Sequence, residues 1–114
     1  MPALSFSVMK EKLMDGTKCQ TIRKLRKRPI KVGDRLVIYW KQRSKNNEHL
    51  GVTECTSERV FKLKDVTPQE AWADGFSCKA ELWDWFNKRY RTEDILHEKW
   101  QRINFKPLGD TKDE

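Results

Sequence analysis

No run of about twenty apolar residues occurs in this chain, so none of it reads as a bilayer-spanning helix. The first residues, MPALSFSVMKEK, reach charge before any sustained apolar stretch, which argues against a secretory leader. Cysteine is scarce as well: Cys19, Cys55 and Cys78 are odd in number, widely spaced and free of any C-x-x-C pattern. That argues against a disulfide framework and suits reduced thiols in a cytoplasmic protein. His49 and His97 are the only histidines, too few beside those cysteines for a structural zinc site, so neither metal nor cofactor is expected. Repeats and Gly/Ser-rich linkers are missing too. A single domain is therefore expected over residues 1–114, with its core at about 3–107 and a polar tail at 108–114.

One further absence is local. Between Lys18 and Lys31 there is no Asp or Glu, while the segment KCQTIRKLRKRPIK carries Lys18, Arg23, Lys24, Arg26, Lys27, Arg28 and Lys31. The chain has 24 Lys and Arg against 17 Asp and Glu; without these seven cations the count is 17 against 17. The net charge of +7 is thus one patch on an otherwise neutral chain. Such a patch concentrates positive potential and attracts phosphodiester backbones. The bland alternative is a solvated loop. Five Trp and five Phe argue against disorder, because disordered chains are poor in large aromatics.

The pattern is mixed α and β. Leu4 to Ser7 reads as a short strand leading into a helix from Val8 to Met14, with Met9, Leu13 and Met14 as its apolar stripe. Asp15-Gly16 ends that helix through a left-handed glycine. Gln20 to Arg23 is a short strand before the basic loop and Pro29. Val32-Gly33-Asp34 is a turn into the strongest strand, Arg35 to Lys41, whose continuous apolar run predicts cover on both faces. A polar hairpin loop over Lys41 to His49 leads to Leu50–Cys55 and Glu58–Leu63, two strands or one long strand bent near Thr56-Ser57. Thr67-Pro68-Gln69-Glu70 is a capping box opening a helix that ends near Asp74-Gly75. A second helix runs from Cys78 or Lys79 to Tyr90, burying Leu82, Trp83, Phe86 and Tyr90 and leaving Trp85 at the boundary. Trp100 to Pro107 is a closing strand. Consecutive helices late in the chain argue against repeated β-α-β units, so the expected class is α+β, a small β-barrel with flanking helices.

Gly16-Thr17-Lys18-Cys19-Gln20-Thr21-Ile22-Arg23, then Val32-Gly33-Asp34 and a hydrophobic strand, resembles the signature of ASCH-domain proteins in the PUA-like superfamily. A later Asp74-Gly75-Phe76 resembles the family's acidic-Gly-Phe element, and the likeness spans about residues 3–107. It implies a PUA-like barrel with a cleft for RNA, a nucleotide or a modified nucleoside. The residues themselves agree. Strand alternation puts Thr21 and Arg23 on one face, and Lys18, which precedes the strand, is free to converge on them. An ammonium, a hydroxyl and a guanidinium fork suit a phosphate, a carboxylate or a base edge.

Some small members of the family are amidohydrolases that deacetylate acetylated cytidine, using the Lys and Thr of this motif and a downstream Glu. Residue by residue, the resemblance carries those roles to Lys18 and Thr21. Arg23 would help depress the Lys18 pKa so that it serves as base to the Thr21 nucleophile. The chain departs at the acid: Asp74 is one methylene shorter, and Glu81 is the fallback. A ribonuclease, another family activity, would need an acid–base pair, and His49 and His97 fall at no recognisable spacing for one. Binding needs less: Lys18, Arg23, Lys24, Arg26, Lys27, Arg28 and Lys31 to follow a backbone, Lys41 and Arg43 to extend the surface, and Trp40 and Trp85 to stack bases. The expectation is a monomeric RNA- or nucleotide-binding domain with no membrane partner; a small amidohydrolase is the alternative and a protein–protein adaptor the third class.

Overall fold

The computed structural model describes residues 2–6, 10–41, 45, 47–90 and 94–108. The expected helix start at Val8 and Met9, the candidate ligand residue Arg43 and the tail beyond Leu108 lie outside them. In chain order the elements are β1 (Ala3–Phe6), α1 (Lys10–Met14), β2 (Gln20–Lys24), β3 (Arg35–Trp40), β4 (Glu48–Lys62), α2 (Pro68–Ala73), α3 (Lys79–Tyr90) and β5 (Lys99–Phe105). Short 3-10 turns occupy Leu63–Asp65 and Ile95–His97. The strands form one sheet in the order β1-β3-β4-β5-β2. The chain is thus α+β, with a five-stranded sheet and few helices, compatible with a barrel-like domain. Among the described residues, no helix is long and apolar enough to cross a membrane.

Contacts divide the chain into two compact units, each assembled from separated segments. The first comprises Met1–Cys19, Ile30–Glu58 and Ile103–Glu114. Its β1 lies parallel to β3, from Ala3 opposite Val37 to Phe6 opposite Trp40, and β3 pairs antiparallel with β4. Leu4, Phe6, Leu13, Ile30, Leu36, Ile38, Cys55, Ile103, Phe105 and Leu108 form its core. The expectation that β3 is covered on both faces is corrected. Leu36 and Ile38 are fully buried, but Val37, Tyr39 and Trp40 are half-exposed. Successive side chains alternate between faces, so Val37 and Tyr39 lie opposite Leu36 and Ile38, with His49 edge-on to Tyr39; Trp40, at the strand end, packs partly against the core and has Lys10 and Lys41 by its ring. Gly16 has φ +83° and ends α1 as expected; a Cβ there would stand 3.0 Å from that of Pro107.

The second unit comprises Gln20–Pro29 and Arg59–Arg102. Its core is Ile22, Phe61, Leu63, Val66, Ala71, Leu82, Phe86, Ile95 and Trp100. Thr67 caps α2 as its sequence predicts: its hydroxyl accepts from the Glu70 amide at 3.1 Å while Glu70 Oε1 accepts from the Thr67 amide at 2.9 Å. On α3, Leu82 and Phe86 are buried, and the Trp83 indole N–H donates to the Leu63 carbonyl at 2.9 Å. The alternative of one long strand holds for β4, which runs unbroken through Thr56-Ser57. Neither Gly nor Pro interrupts it there, and its inward positions continue in step from Thr53 and Cys55 to Phe61. The closing strand covers Lys99–Phe105 rather than Trp100 to Pro107.

Candidate nucleic-acid interface

The second unit holds fourteen Lys and Arg against eight Asp and Glu, a net +6 of the chain's +7. Five of the seven cations in the basic run belong to it: Arg23, Lys24, Arg26, Lys27 and Arg28. Strand β2 sets their environments. Gln20, Thr21 and Ile22 are buried, Arg23 is half-buried and Lys24 is exposed, so the chain climbs out of the core as its charge rises. Alternation brings Thr21 and Arg23 to one face, where Arg23 Nε donates to Thr21 Oγ1 at 2.8 Å.

Burial pulls the Arg23 guanidinium below its ordinary pKa. Tyr90 and Asp74 pull it back, and the positive charges of Arg26 and Arg89 push it down again. A guanidinium keeps its proton throughout, so these influences describe a partly dehydrated cation with charges of both signs around it. An anion bound there would offset the cost of that dehydration.

The neighbours reach Arg23 for structural reasons. Asp74 terminates α2: its amide donates to the Glu70 and Ala71 carbonyls, and Gly75, at φ +101°, turns the chain away. Arg89 and Tyr90 form the last turn of α3, with the Tyr90 ring packed 4.9 Å from Trp100 and 5.6 Å from Phe86. The site therefore joins a hydroxyl, a carboxylate, a phenol and three guanidinium groups.

Arg26, Lys27 and Arg28 follow β2 as exposed side chains, and Lys24 approaches Glu98 at 3.8 Å. Glu81 is exposed and accepts from the Ser77 amide at 3.4 Å, a contact at the start of α3. Lys18, Lys31, Trp40 and Lys41 belong to the first unit. There Lys18 is buried, its amide bound to the Lys12 carbonyl at 2.9 Å, and Lys31 is exposed. His49 stands beside Tyr39 in the first unit, whereas His97 pairs with Asp94 at 2.6 Å in the second.

Sequence reasoning overlooked two features. Arg89 escaped notice and Tyr90 was read only as a core aromatic, although Arg89 lies four residues after Trp85, the spacing of neighbours on a helix face. Glu70 was read only as a cap. It is 5% exposed and accepts a two-pronged bond from Arg59 at 2.9 and 2.6 Å. A further bond comes from Arg102 at 3.1 Å, while the Glu70 carbonyl receives Gln20 Nε2 at 2.9 Å. Burial pushes the Glu70 carboxyl up, but bonds from Arg59 and Thr67 outweigh it and hold the pKa at about 2. This node ties β2, β4, α2 and β5 together.

Among the described residues, no cluster of three His, Cys, Asp or Glu side chains is arranged to hold a metal ion. No family model matches the chain, and no curated protein matches its sequence. Its fold is similar to the crystal structure of protein EF3133 from Enterococcus faecalis V583, which is described under the family model DUF984. The TM-score is 0.63 at 15% identity, covering 84% of this chain and 67% of that one, a likeness of fold alone.

Proposed function

We propose that this chain binds single-stranded RNA or a nucleotide, as an ASCH-like domain of the PUA-like superfamily, and that the Arg23 cluster receives the phosphate. The observation that carries this reading is the half-buried Arg23, fixed through Nε by Thr21 and crowded by Arg26 and Arg89. Asp74 supports its charge while Arg26 and Arg89 oppose it, so a ligand phosphate would enter a cluster that already holds three guanidinium groups. Exposed Arg26, Lys27 and Arg28 would follow the backbone on either side. Affinity for a labelled single-stranded RNA, measured by anisotropy, should fall steeply with salt. The triple variant Arg26→Ala, Lys27→Ala, Arg28→Ala should flatten the log–log slope by about 2 to 3 units. An unchanged slope would remove the loop from the interface.

The amidohydrolase alternative would use Thr21 as nucleophile. The bond that Thr21 Oγ1 accepts from Arg23 draws electron density from that oxygen and leaves its proton available for donation. This favours a hydroxyl that positions a ligand over one that attacks it.

A further inference from the structure

Resting on the RNA-binding reading above, we infer that Trp85 is a base-stacking platform with Arg89 beside it, so that the ligand is an unpaired nucleotide rather than a duplex. Three observations converge on this indole. First, Trp85 is 38% exposed on a helix whose neighbouring aromatics are drawn into the core. Second, it is held in place: Phe86 lies 5.3 Å from its ring and Phe76 5.9 Å, both tilted. An aromatic surface fixed before the ligand arrives loses little entropy on binding.

Third, Arg89 lies beside the Trp85 ring. Its guanidinium carbon stands 5.4 Å from the Trp85 ring centre, and its charge also bears on Arg23. A guanidinium and a flat apolar ring side by side match the two ends of a nucleotide, an anionic phosphate and a π-faced base. A base inside a duplex has both faces stacked already and gains nothing from the ring. Trp72 supplies the contrast. It is 76% exposed on α2 and serves as the comparison, an exposed indole outside α3.

The test uses a labelled RNA of mixed sequence, single-stranded or annealed to its complement, with the parent and the Trp85→Ala, Trp85→Phe and Trp72→Ala variants. Trp85→Ala should weaken single-strand binding about 10-fold or more while leaving duplex binding and the salt slope unchanged. Trp72→Ala should bind like the parent. Single-stranded RNA should also quench the parent's tryptophan emission. Trp85→Phe, which keeps an aromatic ring and hence the fold, should lose most of that quench. Full single-strand affinity in Trp85→Ala, equal losses on both RNAs, or an undiminished quench in Trp85→Phe would each overturn the platform while the phosphate site stood. No salt-sensitive RNA binding by the parent would overturn the functional reading itself, and the platform with it.

Discussion

Replacing Glu70 with Gln should produce a loss of stability that depends on pH in a definite direction. The carboxylate is nearly buried, gripped by both prongs of Arg59 and touched by Arg102. Gln keeps the shape but removes the charge, leaving two guanidinium groups without their shared counterion. Loss of one partner from such a buried pair costs roughly 3 to 5 kcal/mol. The shift from 4.5 to about 2 gives a second measure, because a folded-state pKa depressed by that amount is worth about 3 kcal/mol. The sign follows from the direction. Stability from this group is complete above the unfolded value of 4.5 and is lost as pH falls toward about 2, where both states are protonated. Urea unfolding followed by tryptophan fluorescence should therefore show a wide gap between parent and Glu70→Gln at neutral pH, narrowing steadily below 4.5. A gap of constant width down to the acid limit would refute the reasoning, since the loss would then come from packing rather than charge.

Arg23→Lys should weaken RNA binding about 10-fold despite preserving charge, because a lysine cannot bind Thr21 through Nε and still present a planar fork to phosphate; an unchanged affinity would make Arg23 a generic cation. The parent should show no release of acetate from acetylated cytidine, while Thr21→Val and Lys18→Met each weaken RNA binding by about 1 to 3 kcal/mol; turnover that falls at least ~100-fold in either variant would establish the hydrolase instead. Asp74→Asn should tighten RNA binding by removing the carboxylate that opposes phosphate at Arg23, and weaker binding would show that Asp74 contacts the ligand. Gly16→Ala should lower stability by about 1 to 2 kcal/mol in thermal melts, through the positive φ and the close approach of Pro107.

Local signals were legible where the chemistry is local. The capping box at Thr67, the glycine stop at Gly16 and the shared face of Thr21 and Arg23 each depend on residues within a few positions, and the structure has all three. The even polarity of β3 misled because a run such as LVIYW does not say which face meets the core; Val37 and Tyr39 lie on the outer face, with His49 beside Tyr39. Glu70 was legible as a cap and illegible as an ion-pair centre. Arg59 lies 11 positions before it and Arg102 32 after it, separations that no periodicity spans. Arg89 and Tyr90 were hidden for the same reason: only the fold brings the end of α3 to a strand more than sixty residues earlier.

The interleaving of the two units has a consequence for synthesis. The chain leaves the first unit at Gln20, returns at Ile30, leaves again at Arg59 and returns once more at Ile103. Neither can be excised as a continuous fragment. On the ribosome, the second unit lacks its last strand residues until Arg102 has emerged, and the first lacks Ile103, Phe105 and Leu108 of its core until later still. The five cations between Gln20 and Pro29 are thus made early and wait, beside an anionic ribosome, for partners that begin at Arg59. Folding of both units waits until the residues around Arg102 and Ile103 have emerged and is governed by closure of long loops, so loss of the chain from before Arg102 onward deprives both units rather than trimming one.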